Sequence, residues 1–317
     1  MNTAIRLGGF VLGLATVFGA AYGVGQLSGP VRGTAATHQS DSPHQSDPVN
    51  SRPPGGLLVS DRGYTLTPAP AAAGEFAFRI NGPDGRPVTD YDVTHDQRMH
   101  LIVARRDLSG YRHVHPVMDP DGTWRTDSPL TAPGSWRAFA DFVPRAAEPL
   151  TLGVDLSVPG DYRPEPLPPP APAAQVDGYT VRLDGTLTPG RTSSLGLTVS
   201  RDGRPVTDLQ PYLGAYGHLV ALRDGDLAYL HVHPEGTPGD GRTPAGPTIT
   251  FSVEVPSAGS YRLYLDFRHA GTVRTAEFTL TAAGPAGPPP APMPTPTTPA
   301  PEETHSGTTG TPGHGHG

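Results

Sequence analysis

Between residues 57 and 282, apolar positions recur with a period of two, in short runs bounded by Gly, Pro, Asp and Asn. Phe76-Ala-Phe-Arg-Ile80 and Leu195-Gly-Leu-Thr-Val199 alternate in this way, and Asp-Gly pairs follow them at Asp84-Gly85 and Asp202-Gly203. Alternation predicts strands with one buried side, and Asp-Gly supplies the turn. His218–Leu222 and Leu227–His233 flank Asp224-Gly225, which predicts a hairpin with a two-residue type I′ turn. Tyr261–Phe267 and Thr275–Leu280 read as further strands, and no segment carries a helical period. Roughly six to seven strands per hundred residues predict an immunoglobulin-like β-sandwich, with a cupredoxin-like Greek key as the nearest alternative.

The pattern occurs twice. Asp84-Gly-Arg-Pro-Val-Thr-Asp90 recurs unchanged at Asp202–Asp208, an offset of 118. His100-Leu-Ile-Val-Ala matches His218-Leu-Val-Ala-Leu, and His113-Val-His-Pro116 matches His231-Val-His-Pro234, at the same offset. Gly134–Phe142 matches Gly259–Phe267 at 125, so a loop insertion precedes Gly259. Two tandem all-β domains follow, expected over 57–158 and 177–283.

The flanks differ in composition. Residues 7–31 carry no charge and follow Arg6, and Leu7–Leu27 is long enough to span a bilayer. This predicts a signal anchor or transmembrane helix over 1–27, with everything after it outside the cytoplasm by the positive-inside rule. Cleavage as a signal peptide would instead make the protein secreted. Residues 28–56 read as a disordered tether. Residues 159–176 form a Pro-rich linker, with seven prolines in positions 159–172. Residues 284–317 form a disordered Pro-rich tail that ends in His314-Gly-His316.

Charge and composition narrow the partners. All 23 basic residues are arginine, the formal charge is −7, and no basic stripe is present, which excludes nucleic acid as an expected partner. Cysteine is absent, which removes disulfides, thiolate metal sites and Cys nucleophiles. No G-x-S-x-G, P-loop, HExxH or dinucleotide fingerprint occurs, so no enzymatic role is expected.

Histidine is the residue with candidate chemistry. Of 13 histidines, His95, His100, His113, His115, His218, His231 and His233 fall at or near the two HxH motifs. A two-residue turn at Asp224-Gly225 would put His218 directly opposite His231, with His233 on the same side of the hairpin. The first repeat has the same spacing with His100, His113 and His115. Two metal sites per chain are therefore expected, each a triad of imidazoles suited to copper or zinc. Weaker candidates are Asp266 and His269 in the second repeat, Met99 and Met118 in the first, and His314 and His316 in the tail.

The stretch from Thr94 to Pro116, with Asp119-Pro-Asp-Gly-Thr-Trp124 and Gly134–Val143, resembles the YtkA-like family of exported bacterial domains. The resemblance covers most of the first repeat and less of the second, where Leu213 stands at the position of His95. It implies a small exported or membrane-tethered β-sandwich associated with a copper-type metal, with His95, His100, His113 and His115 on the family's histidine positions. The expectation is a membrane-tethered metal-binding protein of the cell envelope; the alternative is a non-catalytic structural or interaction module without metal.

Overall fold

The computed structural model describes residues 53–230 and 232–284. Among them there is no helix, and none long and apolar enough to cross a membrane. The anchor expected over 1–27, most of the tether, His231 and the tail histidines lie outside the described residues.

The chain folds as two immunoglobulin-like β-sandwiches. The first comprises β1 (Ser60–Asp61), β2 (Tyr64–Ala69), β3 (Glu75–Asn81), β4 (Tyr91–Asp92), β5 (His100–Arg105), β6 (Arg112–Val114), β7 (Val117–Met118), β8 (Thr123–Asp127), β9 (Gly134–Pro144) and β10 (Leu150–Val158). The second comprises β11 (Ala173–Val176), β12 (Tyr179–Asp184), β13 (Thr192–Arg201), β14 (Arg204–Pro205), β15 (Gly217–Arg223), β16 (Tyr229–Leu230), β17 (Val232–Pro234), β18 (Thr248–Glu254), β19 (Gly259–His269) and β20 (Thr272–Ala282). The paired sheets run β1-β2-β3-β8-β7 over β10-β9-β5-β6, and β11-β12-β13-β18-β17 over β16-β15-β19-β20, with every strand pairing antiparallel.

In β5, Leu101 and Val103 face the first core with Trp136, Ala138, Ala140 and Phe142 of β9. The alternate residues Ile102, Ala104 and Phe139 point away from that core and are nevertheless 0% exposed. They pack against Val220, Leu222, Leu227 and Tyr264 of the second sandwich in a third apolar cluster. The central strands are therefore apolar on both faces, as strands buried on both faces must be. The two sandwiches share a core, and the Pro-rich segment does not hold them apart.

The segment after Gly160 is also docked. Tyr162 donates through its hydroxyl to Asp107, Glu165 pairs with Arg105 at 2.6 Å, and Leu167 packs on the shared core. Of the linker expected over 159–176, residues 173–176 are β11 of the second sandwich. Residues 53–56, expected as the end of the tether, are fixed as well. The Tyr229 amide donates to Gly55 O, Gly56 N donates to Thr151 O, and the buried Arg137 guanidinium donates to Gly56 O at 2.6 Å. This strap crosses from one sandwich to the other.

Candidate metal centre

The first repeat assembles as its spacing predicts. Register pairs Leu101 with Val114 and Ile102 with His113, which places His100, His113 and His115 on the outer face of the sheet. The His100 ring lies 5.3 Å from His113 and 5.1 Å from His115, and His113 lies 4.8 Å from His115. One ligand atom from each of the three falls within 4.8 Å of the others. His95 stands at the rim, 6.0 Å from the His100 ring, on a tight turn closed by reciprocal hydrogen bonds between Thr94 and Gln97. Both central residues of that turn, His95 and Asp96, have positive φ, as a type I′ turn requires.

In the second repeat the hairpin register differs from the one expected to bring His231 opposite His218, and His231 itself lies outside the described residues. The hairpin pairs Ala221 with Leu230 and Leu222 with Tyr229, two residues out of the expected register. The connection is the four-residue loop Asp224–Leu227, closed by Leu227 N donating to Arg223 O. Asp226 sets this turn by accepting from the Ala228 amide and the Arg223 guanidinium. Leu227, at φ 60°, drives its side chain into the shared core with 0% exposure. Past Leu230 the chain changes sheets, and His233 pairs with Ser252 on β18, where it is exposed. His233 is thus carried away from His218.

His218 joins the first triad instead. It sits on the outer face of β15, directly opposite Asp266 of β19. Its ring lies 4.8 Å from His113, 5.9 Å from His95 and 5.9 Å from His100. Asp266 is 2% exposed, accepts from the Thr275 hydroxyl at 2.6 Å, and stands 3.0 Å from His113 Nδ1. His113, His218 and Asp266 form a second group whose ligand atoms lie within 4.8 Å of one another. Among the described residues, the histidines of the two repeats thus meet in one cluster between the sandwiches.

The remaining candidates fall elsewhere. Met99 is buried in the first core at 1% exposure, and Met118 packs on that core. His269 is occupied by the Tyr179 hydroxyl at 2.7 Å and by Asp208 at 3.0 Å. Asp266, a weak candidate in the sequence, is central. What marks it in the sequence is that Tyr-Arg-Leu-Tyr-Leu-Asp-Phe has large residues on both faces, so its outer face requires a cover.

Burial dominates the electrostatics. It holds His113 and His218 well below the usual imidazole range, with neighbouring imidazoles adding to the effect, and brings His115 down to about 4. His100 is lowered for the same first reason. Burial pushes the Asp266 carboxyl up to about 7. The imidazoles are neutral at pH 7, with lone pairs to offer.

The proton inventory is specific. His100 Nε2 lies 3.0 Å from the Thr94 carbonyl, which can only accept, so this nitrogen carries the hydrogen and Nδ1 is a lone pair. His113 Nδ1 lies 3.0 Å from Asp266 Oδ2, and the proton on that bond sets the tautomer. With Asp266 ionised, His113 Nδ1 donates and Nε2 is the lone pair; with Asp266 protonated, the carboxyl donates and Nε2 carries the hydrogen. These two nitrogens, His100 Nδ1 and His113 Nε2, face each other at 3.1 Å. With Asp266 protonated, His113 Nε2 donates to His100 Nδ1; with Asp266 ionised, the two nitrogens are both lone pairs and together can hold a metal ion. His115 Nε2 and His218 Nδ1 are buried without a hydrogen-bond partner beside them. A ring nitrogen held by a carbonyl or carboxylate while the other is free is the usual setting of a metal-ligating histidine.

A family of domains of unknown function, DUF8832, matches residues 61–160 and again 174–284. The chain belongs to the DUF8832 family, in two copies. No curated protein matches it in sequence. Among solved structures it is similar to the Yersinia pseudotuberculosis adhesin InvE (TM-score 0.20, 15% identity, 70% of this chain and 60% of that one). It is also similar to domains 4 and 5 of the S-layer protein SbsC (0.21, 13%, 67% and 83%) and to the chicken CNTN1 FN1–FN3 domains (0.20, 11%, 72% and 68%). The chain thus spans about 60% of the adhesin's length.

Proposed function

We propose that this protein binds a transition-metal ion, Cu(II) or Zn(II), at the histidine cluster, and works as a membrane-tethered metal-handling protein of the cell envelope. The observation that carries the metal reading is the convergence of ring nitrogens from His100, His113 and His115 within 4.8 Å of one another, with His100 Nδ1 and His113 Nε2 3.1 Å apart and His115 Nε2 buried without a hydrogen-bond partner. An all-imidazole donor set without thiolate suits Cu(II) and Zn(II). Burial of Met99 in the core disfavours thioether ligation and hence a Cu(I) preference. The uncharged run after Arg6 and the resemblance to YtkA-like domains support export and tethering.

The test is metal analysis and titration of the full-length chain with His305, His314 and His316 changed to Ala, so that the tail cannot compete. About one Cu(II) or Zn(II) per chain is expected, with binding abolished by a combined His100→Ala and His113→Ala change. Equal binding by parent and variant removes the site and leaves a structural module.

A further inference from the structure

Resting on the metal reading above, we propose that the ion is shared: His218 supplies a ligand from the second sandwich, Asp266 positions His113, and occupancy locks the two sandwiches together.

The geometry is joint. His113 belongs to both ligand groups, with His100 and His115 of its own sandwich and with His218 and Asp266 of the other. Its two ring nitrogens face opposite ways across the seam, Nε2 to His100 at 3.1 Å and Nδ1 to Asp266 at 3.0 Å. His218 Nδ1 is buried and without a hydrogen-bond partner, which is costly for a polar atom unless something fills the gap. Asp266 is itself held by Thr275, so the His113 ring is fixed through a relay that starts in β20. Around the cluster the seam is built from apolar contacts such as Tyr111 on Tyr264, with centroids 4.0 Å apart. Such contacts are non-directional. A metal with nitrogens from both sides adds a directional bond across them. The roof is shared too, because the His95 turn approaches Gly214 on the matching turn of the second repeat.

Two measurements on the full-length chain with the tail histidines replaced test this. In the first, Zn(II) affinity is read by competition with a chelator, and the Cu(II) form is read by electron paramagnetic resonance. His218→Ala weakens binding at least tenfold, as first-sandwich changes do, and alters the Cu(II) hyperfine pattern. Asp266→Ala weakens it by about 10–100-fold, the usual effect of losing a histidine's orienting partner. Asp266→Asn recovers part of the loss, because its amide oxygen still accepts from His113 Nδ1. His233→Ala leaves affinity unchanged.

In the second, a protease site is placed at residues 168–171, which are exposed. The folded chain is then cut there. The urea concentration that separates the halves rises with Zn(II) and falls with a chelator.

Metal binding that is indifferent to His218→Ala and Asp266→Ala, or halves that separate at the same urea concentration with and without Zn(II), overturns the shared ion while leaving a first-sandwich metal site intact. A parent chain that binds neither Cu(II) nor Zn(II) overturns the metal reading itself.

Discussion

His100 and His218 lie face to face across the seam, their rings within 2° of parallel and 5.9 Å apart. They are the same position in the two repeats, 118 residues apart. Contacts on either side of them are exchanged between equivalent positions. Tyr111 stacks on Tyr264 at 4.0 Å, and its counterpart Tyr229 packs on Phe139, the counterpart of Tyr264, at 5.8 Å. Exchanged contacts are the mark of an approximate two-fold axis, as in an isologous dimer, here within one chain. Histidine content breaks the symmetry: His95 is answered by Leu213, and His233 leaves for the other sheet.

Because the outer faces form a shared core, damage to it reaches both sandwiches. Ile102→Ala removes a fully buried side chain and costs about 2–5 kcal/mol. Denaturant unfolding followed by far-ultraviolet circular dichroism should show one transition for the parent chain, shifted to lower denaturant in the variant. Two separated transitions in the parent would show that the seam does not couple the sandwiches.

In metal-free protein, stability falls with pH from 6.5 down towards 4. His113, His115 and His218 have folded-state values below 6.5, the last of them well below and His115 at about 4. The unfolded chain therefore takes up protons first, and stability is lost as pH falls through this window. Asp266 acts in the opposite sense. Raised to about 7, it contributes most below 3.8 and loses that contribution as pH rises through 7. The other titratable groups around the cluster are His95, His100, Asp141 and Tyr212. Three buried imidazoles outnumber one carboxyl, so the urea midpoint in chelator should drop between pH 6.5 and pH 4. A rising midpoint would contradict the burial of these imidazoles.

The strap over the seam has no spare room. A Cβ at Gly153 would stand 1.9 Å from Gly56 O and 2.9 Å from Arg137 Nε. Gly153→Ala therefore forces the strap off or shifts the sheet, at about 1–3 kcal/mol. Limited proteolysis should cut ahead of Ser60 faster in the variant than in the parent. Equal cleavage rates would mean that the strap is already loose.

Metal should stabilise the folded chain. A ligand that binds only the native state adds about 2.7 kcal/mol at a hundredfold excess over Kd. Zn(II) or Cu(II) should raise the Tm of the tail-substituted chain, and the rise should vanish with His100→Ala plus His113→Ala. A rise that survives both substitutions would place the ion elsewhere.

Much of the fold was legible in the sequence, because it rests on local rules. Period-two alternation in Phe76–Ile80 and Leu195–Val199 names half-buried strands, and the repeat at offset 118 names two equivalent sandwiches. The first triad was legible for the same reason, since His100, His113 and His115 lie on adjacent strands of one hairpin. The second hairpin was misread because its turn is set by side chains. Asp226 bonds its own loop and Leu227 is drawn into a core that exists only once the other sandwich is docked. A turn dipeptide records local preference, and burial of a leucine outweighs it. Only the tertiary structure decided that His218 and Asp266 of the second repeat join the histidines of the first, because His113 and Asp266 are 153 residues apart and meet through the packing of two outer sheet faces. Which face covers which is a property of the assembled surfaces, set by Ile102, Phe139, Val220 and Tyr264 together, and no spacing along the chain encodes it.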